Sequence, residues 1–213
     1  IKDHDVEVFG IEPDALLSLL KGLGQVNLVG RSFGVVKLTR QGVEVDVSIP
    51  RSDSKVGAGH RGIAVVGDPF MSVDEACRRR DLTVNAMMLD LSDGRLVDPY
   101  GGQPDLEQKR LRAVDAQTFL EDPLRALRVV QFIARLGFWP DESLHQLCAS
   151  AALSELPAER VRGELEKMLL RGTEVGQALA FARSTGTLFS LFPELKEHDD
   201  PLLDERLVRL AKE

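Results

Sequence analysis

The sequence has few of the residues that build disulfide frameworks, zinc sites or membrane segments. Only 2 of its 213 residues are cysteines and 4 are histidines, and neither type shows the spacing of a metal-ligand cluster. No apolar run approaches the roughly 20 residues that cross a bilayer, and the first residues lack the basic-then-apolar pattern of a secretory signal. These absences favour a protein of a reducing compartment without a membrane span, and the default expectation is a cytoplasmic location.

Acidic residues outnumber basic ones, with 34 Asp and Glu against 27 Lys and Arg and a formal net charge of −7. That balance argues against a generic nucleic-acid binder, which is usually basic. The basic residues are unevenly spread, however, because arginines gather in two short segments. These arginines are Arg78, Arg79 and Arg80 in sequence, and Arg125, Arg128 and Arg135 at helical spacing. Local basic ridges of this kind can still bind phosphate groups.

Hydrophobic periodicity divides the chain into a mixed first part and a helical second part. An N-terminal strand and a helix within residues 12–24 are followed by three segments whose apolar residues alternate, as in strands. These strands are expected at residues 25–30, 32–39 and 42–50. Residues 51–72 begin rich in Gly, Ser, Lys and Arg and lack a period, so we expect most of them to form a loop. From about residue 118 onward the segments are typical of helices.

Two of the expected strands carry acidic residues on one face. Asp3, Asp5 and Glu7 alternate with other residues in the opening segment DHDVEVFG, so they share a face. In the segment GVEVDVSIP the valines face the core, which leaves Glu44 and Asp46 pointing outward. Like charges repel at such short distances, so the pattern needs a reason. The residues alone leave two: a solvated edge strand, or a site for a divalent metal ion.

Five segments together resemble class II tRNA nucleotidyltransferases, the CCA-adding enzymes, and bacterial poly(A) polymerases. They occur in the order and at the spacings of that family, from residue 3 to about residue 195. In chain order they are DHD (3–5), RRRDLTVNAM (78–87), DPYGGQPDL (98–106), FLEDPLRALRVVQFIARLGF (119–138) and LPAERVRGELEKML (156–169). Each segment alone is weak evidence, whereas five in order make a specific resemblance.

The resemblance implies an α+β fold with a polymerase-β-like nucleotidyltransferase head that contains a small mixed sheet. An all-α neck and body would follow the head. On this chain we expect the head at residues 1–117, a helical neck with the base-template motif at residues 118–193, and the start of the body at residues 194–213. The implied activity is that of a tRNA 3′-end nucleotidyltransferase, which adds C and/or A from CTP and ATP to the 3′-hydroxyl of tRNA.

The resemblance also implies a catalytic metal site on the first strands. Family members hold two Mg²⁺ ions with the aspartates of the D-x-D strand, here Asp3 and Asp5, and with a third carboxylate on a neighbouring strand. Matching the segment VDVSIPR to that strand puts the third carboxylate at Asp46, with Glu44 on the same face as the alternative. Hard oxygen ligands suit Mg²⁺, so the chemistry agrees with these residue types.

Nucleotide recognition is implied for two further motifs. Arg80, Asp81 and Asn85 match R-R-D-F-T-x-N-A, with Leu82 in place of the usual Phe, and are implied to recognise the sugar and phosphates. Asp122 and Arg125 match E-D-x-x-R, whose aspartate and arginine pair with the base in place of a template. We add Arg128, which follows Arg125 after three residues, to this set.

Simpler structural interpretations stay open for these motifs. Asp81 could cap a helix, and the arginines could form a solvated face. Asp122 followed by Pro123 is also a good helix start, and Thr118 with Glu121 resembles a capping box. Two other matches are expected to be structural supports. They are Asp98, Gly101, Gly102 and Asp105 in the D-x-x-G-G-x-x-D-L motif, and Glu159, Arg160 and Glu164 in the next helical motif.

The residues leave alternatives to CCA addition. Residues 28–38 partly match the signature of poly(A) polymerases, but Ser32 and Lys37 depart from it. These departures favour the addition of CCA, CC or A alone over poly(A) synthesis. A poly(A) polymerase and a non-catalytic RNA-binding relative remain the alternatives, and no membrane partner is expected.

Overall fold

The structure is a computed structural model that describes residues 4–29, 35–55 and 63–198, together with four isolated residues near the C-terminus. The chain divides into two compact units, Ile1–Ala76 and Cys77–Glu213. No helix in the described ranges has the length and apolar character that a membrane crossing requires. The predicted Asp3 lies outside the described residues, and so does Ser32.

A four-stranded mixed sheet with one helix organises the first unit. Its elements are β1 (Asp5–Glu7), α1 (Pro13–Leu23), β2 (Gln25–Val29), β3 (Val35–Arg40) and β4 (Val43–Ser48). The strand order is β1-β4-β3-β2, in which β1 runs parallel to β4 and the other pairs are antiparallel. The predicted strands and the helix are confirmed, and β4 lies in the interior of the sheet between β1 and β3.

Alternation along the strands gives this sheet an apolar and a polar face. Val47 is buried with Leu16 and Leu20 of α1, which pack against the apolar face. Partly buried neighbours complete this small core; they are Val8, Ile11, Val26, Val36, Leu38, Val45 and Ile49. The intervening residues of β3 and β4, including Lys37 and Asp46, consequently lie on the opposite face.

The segment that follows the sheet is more ordered than its sequence indicates. Strands β5 (Arg51–Lys55) and β6 (Ile63–Gly67) pair antiparallel, so the expected loop over residues 51–72 is wrong at residues 51–55 and 63–67, while residues 56–62 lie outside the described residues. The sequence RSDSK of β5 has no apolar alternation, and a strand of this kind is identified by its hydrogen-bonded partner rather than by a buried face. Helix α2 (Val73–Arg78) comes next.

The second unit is mainly helical. Its helices are α3 (Gly102–Glu107), α4 (Ala116–Glu121), α5 (Leu124–Leu136), α6 (Glu142–Ala149), α7 (Ala158–Arg171), α8 (Val175–Ser184) and α9 (Thr187–Leu191). Short 3₁₀ turns lie at Thr83–Asn85, Leu153–Glu155 and Pro193–His198. Two pairs of two-residue strands complete the described part of this unit. Strand β7 (Met88–Leu89) pairs antiparallel with β8 (Leu96–Val97), and β9 (Arg110–Leu111) pairs parallel with β10 (Trp139–Pro140).

Helix α5 is the centre of the second core. Ala126, Val129, Ile133 and Ala134 are fully buried in it, because an apolar stripe faces α7 and α8. The helix ends at Leu136 and is followed by Gly137 as its C-cap. Its start differs in detail: the first helical residue is Leu124, whose backbone N–H donates to the Asp122 carboxylate at 3.1 Å.

The expected capping box at the start of α5 is wrong. Thr118 and Glu121 belong to the preceding helix α4, whose N-cap is Asp115. The Asp115 carboxylate accepts hydrogen bonds from the backbone N–H groups of Gln117 and Thr118. Asp122 and Pro123 separate α4 from α5.

The division into two units differs from the expected domains. Residues 77–117, assigned from the sequence to the head, belong to the second unit together with α5 to α9. The head, neck and body boundaries at 117 and 193 therefore stay predictions about the family's architecture.

Candidate active site

Two of the three predicted metal-binding aspartates lie side by side in the first unit. Asp5 of β1 and Asp46 of β4 are direct neighbours in the parallel register, and the Asp46 N–H donates to the carbonyl of His4 at 2.8 Å. Neighbours in register share a face of the sheet, so both carboxylates lie on its polar face. Asp5 is exposed and Asp46 is partly exposed, which leaves their oxygen atoms accessible to solvent.

Lys37 adds a positive charge to the polar face of the sheet. In the sequence this residue stands out only as a departure from the poly(A) polymerase signature. It is the register partner of Asp46 on β3. Its ammonium donates to Glu44 Oε2 at 3.2 Å and lies 3.7 Å from Asp46 Oδ1. The hydrogen bond to Glu44, followed by the charges of Asp46 and Glu44, raises the pKa of Lys37 above its ordinary value.

A tight turn sets the register that places Lys37 beside Asp46. Strands β3 and β4 are joined by Gln41 and Gly42 alone, with φ of 52° and 80°. Positive φ at both central residues is typical of a type I′ hairpin, in which Gly is favoured at the second position. A two-residue loop pairs Arg40 with Val43 and, three residues further, Lys37 with Asp46. This signal was present in the sequence.

Mg²⁺ prefers oxygen ligands, and the adjacent carboxylates of Asp5 and Asp46 supply them. Among the residues that the structure describes, no three His, Cys, Asp or Glu side chains form a group that could hold a metal ion. The third predicted ligand, Asp3, is not among those residues. The carboxylate oxygens of Asp5 and Asp46 therefore fit Mg²⁺ as ligand types. These two residues are two of the three predicted ligands.

In the second unit, four of the predicted nucleotide-binding residues form one network. Asp81 is 7% exposed, and its Oδ1 accepts from the Leu82 N–H at 2.8 Å and from Asn85 Nδ2 at 3.1 Å. Its Oδ2 accepts from Arg128 Nε at 2.6 Å. Arg80 Nη1 donates to the Asn85 carbonyl at 3.2 Å. Residues that are up to 48 positions apart in the sequence are thus held together.

The charge of this network favours ionised Asp81. Burial opposes ionisation, but the Arg128 guanidinium and the hydrogen bonds to the carboxylate outweigh it and hold the pKa of Asp81 below its ordinary value. Arg128 also lies 5.6 Å from the centre of the Phe132 ring, in cation–π contact. Asp81 therefore organises Asn85 and Arg128, and its proposed contact with a sugar remains a prediction.

A second buried carboxylate supports the 3₁₀ turn that carries Asn85. Asp105 is fully buried and accepts from Thr83 Oγ1 at 2.6 Å, from Arg110 Nε at 2.7 Å and from Arg112 Nε at 3.0 Å. Gly102 lies so close to this turn that an added Cβ would be 2.2 Å from the Thr83 carbonyl oxygen. The D-x-x-G-G-x-x-D-L motif thus has the supporting role expected of it.

The two predicted base-template residues are each held by other parts of the second unit. The Asp122 carboxylate accepts two hydrogen bonds from Arg160. Nη1 donates to Oδ1 at 3.1 Å, and Nη2 donates to Oδ2 at 2.7 Å. The Arg125 guanidinium donates to the carbonyls of Thr118 and Arg79, both at 2.6 Å. Asp122 and Arg125 are also joined by a backbone hydrogen bond from the Arg125 N–H to the Asp122 carbonyl at 3.0 Å.

Comparison with known proteins shows the family to which these motifs belong. Residues 1–112, more than half of the 213-residue chain, match the family described as poly A polymerase head domain. The chain belongs to the poly A polymerase head domain family. This match covers the sheet with Asp5 and Asp46 and the segment that contains Arg80, Asp81 and Asn85.

Similar proteins extend the likeness beyond the poly A polymerase head domain. The multifunctional CCA protein of Pasteurella multocida is 41% identical over 204 residues, which cover 92% of this chain and 46% of that protein. The CCA-adding enzyme of Bacillus stearothermophilus, solved with CTP, is 28% identical with a TM-score of 0.73, over 87% of this chain and 44% of that one. The chain therefore spans about half the length of the relatives it matches.

A third likeness concerns the fold alone. The CCA-adding enzyme of Thermotoga maritima, solved with tRNA, has a TM-score of 0.77 at 24% identity and covers 100% of this chain and 48% of that chain. Together these structures confirm the α+β class with a polymerase-β-like head of the poly A polymerase type and a small mixed sheet.

Proposed function

We propose that this chain carries the catalytic and base-selecting parts of a tRNA 3′-end nucleotidyltransferase. The reaction adds C and/or A from CTP and ATP to the 3′-hydroxyl of a tRNA and releases pyrophosphate. The observation that supports it most directly is the adjacency of Asp5 and Asp46 on one polar sheet face within a family head domain. Several similar proteins are CCA-adding enzymes, and one of them was solved with CTP.

The carboxylates would hold two Mg²⁺ ions, with Asp3, Asp5 and Asp46 as ligands. Bound divalent ions supply a lowered pKa for an attacking hydroxyl and charge neutralisation for a leaving pyrophosphate. The protein's own contribution is to fix the ligands: β4 lies between β1 and β3, so the backbone hydrogen bonds of both neighbours hold Asp46 in place beside Asp5. Such fixed ligands need little reorganisation when substrate arrives.

Base selection would rest on Asp122 and Arg125. Cytosine and adenine both present an exocyclic amino donor beside a ring-nitrogen acceptor, whereas uracil and guanine reverse that pattern. A carboxylate can accept from the amino group and a guanidinium can donate to the ring nitrogen. A wrong base would leave buried polar groups unpaired, at a cost of about 1–3 kcal/mol for each group.

The network around Asp81 would supply the sugar and phosphate contacts. Arg80, Asn85 and Arg128 all meet at or next to this carboxylate, which fixes their positions relative to one another. A donor-rich site next to a buried carboxylate suits a ribose with its two hydroxyl groups and the phosphates beyond it. A cytoplasmic location goes with this function and with the low cysteine content, and it too is part of the proposal.

The test is the incorporation of labelled CTP and ATP into tRNA transcripts that end at the discriminator base, at C or at CC. We expect Mg²⁺-dependent addition that stops when the CCA end is complete, or after CC or A for a partial enzyme. A transcript with a 3′-deoxy end serves as the control and should accept nothing. Absence of incorporation with every transcript would contradict the proposal.

Poly(A) synthesis is the second candidate, and the family's own name favours it. The two activities differ in product length rather than in chemistry. A ladder of many adenosines on any RNA with a free 3′-hydroxyl would favour the poly(A) polymerase. Termination at a defined end on tRNA alone would favour the tRNA enzyme.

A further inference from the structure

The polar face of the sheet carries one row of residues that crosses all four strands. In register order this row is Asp5, Asp46, Lys37 and Asn27. Glu44 lies two residues before Asp46 on the same strand and so on the same face. The row therefore places the Lys37 ammonium directly beside Asp46, a proposed metal ligand. Glu44 is a second carboxylate near the same ammonium and an alternative metal ligand to Asp46.

The Lys37 ammonium lies closer to Glu44 than to Asp46. Its Nζ forms a hydrogen bond with Glu44 Oε2 at 3.2 Å, whereas Asp46 Oδ1 lies 3.7 Å away, beyond hydrogen-bond distance. Asp46 therefore forms the longer of the two ion pairs with the ammonium, whereas Glu44 forms the shorter, hydrogen-bonded one. Glu44 is also the more exposed carboxylate, with 60% side-chain exposure against 42% for Asp46.

We propose that Glu44 anchors Lys37 rather than binding metal, and that this anchor holds the ammonium off Asp46 and leaves Asp46 as the third metal ligand. Both residues are positioning residues, and the inference rests on the proposed function because it concerns the metal site of that function. It gives a separate role to Glu44, the residue on the same face that the family match leaves as the less favoured alternative to Asp46.

The physical reason is competition between cations for one carboxylate. An ammonium and a divalent ion repel each other at the few ångströms that separate the sites on this face. If Glu44 loses its charge, Asp46 is the carboxylate of the two that still attracts Lys37. The ammonium then competes with the metal ion for Asp46. If Lys37 loses its charge instead, the competitor is gone and Asp46 becomes a stronger ligand.

The test is direct binding of Mn²⁺ to the purified protein without nucleotide or RNA, measured by electron paramagnetic resonance of the free ion. We expect Lys37→Met, or Lys37→Gln as a second variant, to tighten Mn²⁺ binding by about tenfold. We expect Glu44→Gln to weaken it by about threefold or more, and Lys37→Met to restore binding when combined with Glu44→Gln. Restoration in the double variant is the decisive result.

The control for charge is Lys21→Met, which removes one positive charge from an exposed position on α1 of the same unit. It should change Mn²⁺ affinity by less than about twofold, because α1 packs against the apolar face of the sheet, away from the polar face, and an exposed charge is screened by salt. Circular dichroism checks that every variant folds.

Two results would overturn the inference, and they differ from failure of the proposed function. If the double variant binds Mn²⁺ as weakly as Glu44→Gln alone, Glu44 is itself a ligand. If Lys37→Met changes the Mn²⁺ affinity no more than Lys21→Met does, the Lys37 ammonium does not compete with the metal ion for Asp46. If Asp46→Asn leaves Mn²⁺ affinity unchanged, the proposed metal site itself is wrong, and this inference falls with it.

Discussion

Arg160 of α7 binds both carboxylate oxygens of Asp122, which lies between α4 and α5. The sequence places these residues 38 positions apart in two separate motifs. Oδ1 also accepts the Leu124 N–H, so among the residues that the structure describes Oδ1 accepts from two donors and Oδ2 from one. A carboxylate oxygen has two lone pairs, so Oδ2 can accept one more hydrogen bond. One N–H of the exocyclic amino group of a base could donate that bond.

Replacement of Arg160 should therefore affect base choice. In Arg160→Gln, Asp122 loses its bidentate partner and can rotate, so we expect the preference for CTP over UTP to fall by about tenfold. The unfolding free energy should fall by about 1 kcal/mol, because the pair is only partly buried. Competition between labelled CTP and UTP, together with urea unfolding, measures the two effects.

The matched control is Arg162→Gln on the same helix. Arg162 is 79% exposed and pairs with Glu166 one turn away, so its loss should leave base choice unchanged. Equal selectivity in the two variants would remove Arg160 from the recognition of the base.

The aspartates of the sheet should be needed for chemistry but not for folding. In Asp5→Asn and Asp46→Asn we expect nucleotide incorporation to fall by at least about a thousandfold, because a neutral amide is a poor Mg²⁺ ligand. The unfolding free energy should change by less than about 0.5 kcal/mol, since Asp5 is exposed and Asp46 is partly exposed. Rates at saturating Mg²⁺ and unfolding curves check both, and a variant that keeps its activity would refute the assignment.

Gly102 should be intolerant of any side chain. In Gly102→Ala the added Cβ would meet the Thr83 carbonyl oxygen at 2.2 Å and Met87 Cγ at 2.9 Å. We expect α3 to move away from the 3₁₀ turn that carries Asn85, with a loss of about 2 kcal/mol or more in unfolding free energy. Nucleotide affinity should weaken as well, because Asn85 and Arg80 are joined to this turn.

Gly163→Ala provides the control for this substitution. Gly163 lies within α7, and a Cβ there would have no heavy atom within 4 Å. Alanine should stabilise the helix by about 0.5–1 kcal/mol through its propensity. If both substitutions changed stability by the same amount, the close approach of α3 to the turn would be disproved.

Stability should fall in acid because of the buried aspartates. For Asp105, burial opposes ionisation, but hydrogen bonds from Thr83, Arg110 and Arg112 outweigh it and hold the pKa below its ordinary value. A carboxyl whose folded pKa is depressed contributes stability above its unfolded pKa, near 4, and that contribution is lost as pH falls through the folded pKa. Asp81 acts in the same direction.

Asp105→Asn should reveal this contribution. We expect a loss of about 2–4 kcal/mol at pH 7 and a smaller decline of stability below about pH 4 than in the unchanged protein. Urea midpoints between pH 3 and pH 7 measure both quantities. An acid dependence as steep as that of the unchanged protein would show that Asp105 does not contribute.

The sequence predicted the elements whose signals are local and periodic. The alternation in β3 and β4 and the apolar stripe of α5 fixed strand and helix positions to within a few residues. Strand β5 was missed because its polar residues carry no such period, and its existence depends on pairing with β6. The two-residue turn between β3 and β4 specifies Lys37 as the register partner of Asp46.

Contacts between distant segments could not be predicted in this way. Nothing in the spacing of α7 shows that Arg160 meets Asp122, or that Arg128 meets Asp81. The first pair depends on how α5 and α7 pack, and the second depends on how α5 packs against the segment that carries Asp81 and Leu82. The motifs therefore named candidate residues, while the contacts of those residues required coordinates.

The turn formed by Gln41 and Gly42 has an evolutionary consequence. Because a slip of one residue between β3 and β4 would turn every side chain of one strand to the other face, the length of this turn is tied to the position of Lys37 beside Asp46. Natural variants of this chain should exchange residues within the turn freely, provided that positive φ is tolerated, yet rarely gain or lose one. The catalytic chemistry would thus constrain insertions and deletions at a surface hairpin.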